Sequence, residues 1–485
     1  MKIPVILIAC ICCLAGLQAQ PGNLPERAGN PEGQSDTLVL GFREFIAQVK
    51  QFHPLARQAR LVLDAGEAGL LQARGGFDPK LEVDLERKEF KGTEYYDRLN
   101  ATFKIPTWYG VEFKGQFSEN DGAFLNPDEA LPDAGLYSAG VSVSVGRGIW
   151  MDKRMAVLKK ARLYRQQSQA DLELLVNALL FEASLAYFDW LQAYQDLAVF
   201  EGFVRNARVR LEGIRQSALA GDRPTIDTVE ARIAFANRRL SLEQARVRTT
   251  QAALEVSTYL WLEDDLPVEL QPWVVPEVNP ALSVDRALGL DLELGEDWIS
   301  AEHPKLRSLQ YKLEALDVER QLKASRLLPE IDLEYNFLTE TPELLNSFDT
   351  GQYKGGLSFR MPLFLRKERG ELKLAKIRFR DTELERLSTQ VGIRNKVLGI
   401  FTELESFETQ NSLIRDIVRD YDQLLRAEER KFEFGESSVF LINSRERALI
   451  DARLKSNEVG NKFLSAKAKL FQALALGQEE VGEQP

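Results

Sequence analysis

A chain of 485 residues with 62 basic and 73 acidic side chains carries a net charge of −11 at pH 7. That balance argues against a nucleic-acid partner, whose phosphates call for a basic footprint. All three cysteines (Cys10, Cys12 and Cys13) lie in the first nineteen residues. There Lys2 precedes an apolar run from Ile3 to Gly16 and the small-residue site Leu17-Gln18-Ala19, so 1–19 reads as a secretory signal peptide. A rival reading takes Leu7-Ile8-Ala9-Cys10 as a lipoprotein box, with a very short apolar run before the cysteine. Cleavage near Ala19 leaves no thiol for a disulfide framework or a thiolate metal site. No later stretch is an uninterrupted apolar run of membrane-spanning length, so no transmembrane helix is expected. Entry into a bilayer would then require strands of a closed barrel.

Residues 20–40 form a polar leader with Pro21, Pro25 and Pro31. A short helix is expected over Phe42–Phe52 and a second from Leu55 to Arg74, entered at Pro54, which suits a first helical turn. Alternation follows. Leu81, Val83 and Leu85 are apolar between Lys80, Glu82, Asp84 and Glu86, and the rule recurs at Leu99–Ile105, Val111–Phe117 and Val141–Val145. Period two predicts four half-buried strands within 80–146, greasy on one face and charged on the other. Residues 152–219 then read as one helix, on the order of 100 Å long at about 1.5 Å per residue. Gly221-Asp222-Arg223-Pro224 breaks it, and a returning helix is expected over 225–262. A connector at 263–297 holds Pro267, Pro272, Pro276 and Pro280.

The programme then restarts at 298–476. His303-Pro304 lies 250 residues after His53-Pro54, and Pro329 lies 250 after Pro79. Two strands are expected within 330–362 and long helices over 366–434 and 439–476, before a polar tail at 477–485. Gly435 follows Gly221 by 214 residues. The same offset superposes two heptad seams: Ile393, Val397, Ile400, Leu404 and Phe407 upon Leu179, Ala183, Ala186, Trp190 and Ala193. Two segments with one pattern in one phase imply an internal duplication, and seams of this length demand partner helices. The sequence therefore predicts a mainly α chain of two tandem repeats, 41–262 and 298–476, each helix, strands and long antiparallel helical hairpin. A charged strand face makes a poor dry core, whereas apolar outside and polar inside is the pattern of a membrane barrel around water. Six strands are too few to close one, so several copies would combine.

The run from His303-Pro304 through Leu328-Pro329, the alternating strands and the turn Phe432-Glu433-Phe434-Gly435-Glu436-Ser437-Ser438-Val439 resemble the TolC-like outer-membrane efflux protein family. The resemblance spans about residues 40–476. It implies a homotrimer with a β-barrel in outer-membrane lipid and an α-helical tunnel in the periplasm. Its partners would be a periplasmic adaptor (membrane fusion) protein and an inner-membrane transporter. The function implied is the passive exit duct of a tripartite efflux pump or type I secretion system. It also implies that Gly221, Asp222, Arg223, Gly435, Glu436 and Ser437 form hairpin tips that meet the adaptor. Members often carry two aspartates beyond the second tip glycine; here those places hold Leu441 and Ser444, and the first hairpin has Asp227 and Glu230 instead. A cation-attracting aperture would be built from those two, which otherwise read as a solvated helix start. Members commonly supply two strands per repeat, whereas the first repeat here has four. The extra pair either widens the barrel or projects outside. Trp108, Tyr109 and Trp150 are candidates for an interfacial aromatic belt, with core packing the plain alternative.

No phosphate loop, GxSxG or HExxH occurs, so no enzyme and no cofactor or metal is expected. The alternative class is a periplasmic adaptor or structural coiled-coil protein. Such a protein needs neither two hairpins in one chain nor strands with one greasy and one charged face.

Overall fold

The computed structural model describes residues 37–127, 130–147, 151–290, 303–341 and 349–476. The signal peptide with Cys10, most of the leader, Trp150, the end of the connector and the tail lie outside them.

The described chain is mostly helical. After β1 (Leu38–Leu40) come α1 (Phe42–Phe52) and α2 (Pro54–Arg74), then β2 (Lys80–Phe90), β3 (Thr93–Pro106), β4 (Val111–Asp121) and β5 (Leu136–Gly146). The long helix α3 (Lys153–Leu219) and the returning α4 (Thr225–Ser257) follow, with β6 (Val274–Pro276) and α5 (Ala281–Leu288) in the connector. Next come α6 (Pro304–Ser325), β7 (Glu330–Thr339), β8 (Tyr353–Arg360), the long α7 (Arg366–Glu433) and α8 (Val439–Leu474).

Local chemistry sets the boundaries. Asp152 caps α3, its carboxylate accepting from Met155 N at 2.5 Å. Histidines cap α2 and α6 in the same way: His53 Nδ1 accepts from Leu55 N and His303 Nδ1 from Lys305 N, both at 3.1 Å. The returning helix α4 stops at Ser257, earlier than the expected 262. Residues 258–262 are drawn off by the connector: Val268 N donates to Leu260 O, Leu262 N to Leu266 O, and Leu270 N to the Ser257 hydroxyl. Those bonds satisfy the backbone that a longer helix would have paired internally.

The long helices change partners along their length. Near the sheet α3 packs on α2 and α6; towards its far end it packs on α4 and α8. Helix α7 packs first on α6, then on α8. The seam residues Val397, Ile400, Leu404 and Phe407 bury themselves against Val459, Ala466, Leu470 and Ala473. Further down, Leu425 meets Ile442, Leu449 and Ile450 of α8 and Phe203 of α3. The largest core sits midway, where α1 (Phe42, Phe45, Val49) and α5 (Val284, Leu288) lie on Tyr187, Phe188 and Trp190 of α3. There the Tyr187 hydroxyl donates to Leu40 O at 2.7 Å and accepts from Glu277 N at 3.0 Å, tying both small strands to the rod. One stretch of α3 is apolar enough to cross a membrane by length and composition, which corrects the expectation that no segment qualifies. Just over half of that stretch is buried inside the protein, and the core around Tyr187 accounts for its character.

The strands β2-β3-β4-β5-β7-β8 form one antiparallel sheet in that order. Tyr137–Gly146 of β5 pair with Glu330–Thr339 of β7, joining strands from both halves of the chain. Among the described residues the sheet is open, with β2 and β8 at its edges.

Candidate functional site: the two-faced sheet and the hairpin tips

Register sorts the sheet into two chemically distinct faces. On one, Leu81 lies across from Phe103, Val83 from Ala101 and Leu85 from Leu99. Ile105, Phe113, Val141 and Tyr335 make a continuous row of the same face. On the other face lie Lys80 opposite Lys104, Glu82 opposite Thr102, and the row Glu112, Ser142, Glu334. Its charges are paired in place. Lys104 meets Glu82; Lys114 reaches Glu334 at 3.3 Å; Arg360 holds Glu330 at 2.9 Å and Asp332 at 2.8 Å. These pairs are partly open to solvent, which screens them. They mark a wet surface rather than a core. The apolar face is uncovered too: Leu81 is 71% exposed, Leu85 69% and Leu357 70%. A sheet with polar side chains in water and a bare apolar face needs a non-aqueous neighbour on that face.

At the far end of the helices, two tips close with the same geometry. Gly221 (φ 84°) and Gly435 (φ 78°) take left-handed backbone. Asp222 N then donates to Ser217 O at 2.9 Å, and Glu436 N to Lys431 O at 2.8 Å, which caps the last carbonyls of each long helix. Asp222 and Glu436 are exposed, as a contact surface requires. Arg223 is turned inward instead. Its guanidinium lies 3.7 Å from the Phe432 ring centroid and donates to Phe432 O at 3.2 Å, so it bonds one tip to the other. Ser437 is also engaged, donating to Glu428 at 2.6 Å.

Asp227 stands 4.0 Å from Arg223, and Glu230 lines a hollow with Arg238, Asn443 and Arg447. Within one protomer the two acids do not converge on a common point; a ring of them needs further copies. Trp108 is exposed and stacks on Phe77 at 4.7 Å, at the turn between β3 and β4 that also holds Tyr109.

Sequence reading missed a buried charge cluster above the tips. Glu446 is 1% exposed and accepts from Arg210 at 2.7 Å, with Arg238 at 3.5 Å. Burial pushes the Arg238 guanidinium below its ordinary range, against the pull of Glu446. The cluster joins α3, α4 and α8. Its one legible signal is a charged residue between Ile442 and Leu449 at a seam position of α8.

Residues 299–476 match the model of the outer membrane efflux protein family. No curated protein sequence matches the chain. Solved structures resemble it in fold across most of its length. The outer membrane protein VceC of Vibrio cholerae is 13% identical, with 90% of this chain and 97% of that one covered at a TM-score of 0.64. The open state of the MtrE outer membrane channel of Neisseria gonorrhoeae is 15% identical, with 92% and 93% covered and a TM-score of 0.64. The CmeC outer membrane channel of Campylobacter jejuni is 11% identical, with 90% and 87% covered and a TM-score of 0.63. The two-faced sheet, the rods and the match over residues 299–476 make the chain similar to TolC-like outer-membrane efflux proteins.

Proposed function

We propose that three copies of this chain assemble into one duct, the outer-membrane exit of a tripartite pump that moves small toxic molecules out of the periplasm. The two-faced open sheet carries the reading: its apolar face fits lipid, its charged face fits a water-filled bore, and its bare edges fit neighbouring copies. The chain would then be two tandem repeats, each lending strands to a barrel and a hairpin to an α-helical tunnel. The helices support this. Ile226, Ile233, Leu240, Val247 and Leu254 recur every seven residues on α4 and all are exposed. On α7 the exposed Ile377, Leu384, Val391 and Leu398 keep the same spacing. Heptad stripes left uncovered within one chain call for coiled-coil partners from the next.

In this duct the tips meet a periplasmic adaptor, and energy comes from an inner-membrane transporter. Asp227 and Glu230 of three chains line the narrow periplasmic aperture. Purified from outer membrane in detergent, the protein is expected at the mass of three copies, with a central hole in particle images and heat-dependent migration in gels. Solid single-copy particles that stay soluble without detergent would overturn the proposal. Deleting the gene is expected to raise sensitivity in a toxicant panel, which also separates small-molecule efflux from protein secretion. In planar bilayers, Asp227→Asn with Glu230→Gln is expected to lower cation selectivity. An unchanged reversal potential would remove the acidic ring.

A further inference from the structure

Resting on the trimeric barrel reading, we propose that the additional hairpin β2–β3 is part of the membrane wall, so that the barrel has eighteen strands rather than twelve plus an external flap. The register of the sheet carries this. Gly146, Glu330 and Arg360 share one cross-strand row. From that row the lower end of the strand ladder steps upward: Val111 pairs three residues above it (with Val143), Pro106 four (with Glu112), and Lys80 six (with Lys104). A climb of six residues at about 3.3 Å, across five gaps of about 4.8 Å, is a slant of about 40°. Strands of closed membrane barrels tilt by roughly that angle. The tilt is thus built into the six-stranded sheet with β2 and β3 included.

The apolar belt follows the same slant. Its lower edge runs through Phe359, Ile331 and Val145 on one row, then rises to Val111, Ile105 and Leu81. Its upper edge rises from Tyr353 and Phe337 through Tyr137 and Phe117 to Leu99 and Leu85. Immediately above, Arg87, Asp97 and Asp121 turn the same face charged. A belt oblique to the strands and level across them is how a bilayer meets a tilted wall. Water-exposed hairpins have no use for Leu81, Val83 and Leu85 on the lipid side with Glu82 and Asp84 on the other.

Closure is consistent with this count. Six strands alternate in direction, so β2 and β8 run oppositely, and β8 of one copy pairs antiparallel with β2 of the next. At the tilt above, a twelve-stranded backbone ring is about 24 Å across and an eighteen-stranded one about 36 Å. The outer-membrane end is therefore wide, and selection falls to the helical part.

No cysteine follows residue 19, so a thiol placed on a strand is the only one there. Single-cysteine variants Val83→Cys and Asp84→Cys on β2, with Val141→Cys and Ser142→Cys on β5, are assembled as trimers in liposomes. They are probed with a membrane-impermeant maleimide and, after labelling with a fluorophore, with a nitroxide lipid quencher. We expect D84C and S142C to react with the maleimide at least tenfold faster than V83C and V141C, and V83C and V141C to be quenched. If V83C reacts as fast as D84C and escapes quenching while V141C is protected, the hairpin lies outside and the count is twelve. If V141C also reacts freely, the barrel itself fails. Should V83C not assemble, L81C on the same face reads the same distinction.

Discussion

At the scale of single residues, the two histidines are the clearest structural devices. Each caps a helix through Nδ1. His303 Nε2 donates to Ala473 O at 3.2 Å, and His53 is bonded to the backbone of Thr258. Each thus ties the start of one helix to the end of a returning one, and does so as a neutral ring. Burial depresses both below the ordinary histidine value, which is about 6.5. Below that value the unfolded chain binds protons that the folded chain refuses, so stability is full above about pH 6.5 and declines as pH falls towards the folded values. Thermal unfolding is expected at lower temperature at pH 5.5 than at pH 7.5, and His303→Gln is expected to shrink that difference. Equal differences in wild type and variant would reject the role. Glu446 allows a second prediction. Removing it by Glu446→Ala leaves Arg210 and Arg238 buried without their shared anion, which costs about 3–5 kcal/mol, whereas Glu446→Leu with Arg238→Leu costs much less. Protease cleavage near the tips and the melting temperature report both.

At the scale of elements, the tips separate backbone demand from contact. A Cβ at Gly435 or Gly221 would meet nothing within 4 Å, so the glycines answer to left-handed φ alone. Asparagine tolerates that region and valine does not, at a cost of about 1–2 kcal/mol. Gly435→Asn is expected to bind the proposed adaptor nearly as wild type, and Gly435→Val to lose binding while the assembly persists in gels. These tips were legible in the sequence because Gly221 and Gly435 interrupt long proline-free runs. The strand faces were legible because period two at Leu81–Leu85 and Val141–Val145 needs no tertiary knowledge. What stayed hidden depends on distant partners. The end of α4 at Ser257 is decided by Leu270 and Val268. The inward turn of Arg223 is decided by Phe432, 209 residues away. Composition alone marks part of α3 as membrane-like, and only its packing against α1 and α5 explains that stretch as core.

At the scale of the molecule, what one chain leaves unfinished describes its surroundings. Among the described residues the apolar sheet face lacks a solvent, the sheet edges lack strands, and the stripes on α4 and α7 lack helices. In the proposed duct lipid answers the first and neighbouring copies answer the other two, with one symmetry operation serving both the edges and the stripes. Because the stripe on α4 lies away from the sheet, it can be broken without touching the lipid face. Leu240→Glu with Val247→Glu places two charges where an apolar partner stripe should dock. Each exposed leucine or valine removed forgoes about 1.5–3 kcal/mol of burial at full coverage, and three interfaces lose it at once. The variant is therefore expected to reach the outer membrane in reduced amount and to run as single chains after mild detergent extraction. Circular dichroism should remain close to wild type, because both side chains are exposed within the folded protomer. An intact trimer carrying both glutamates would mean that α4 faces something other than the next copy.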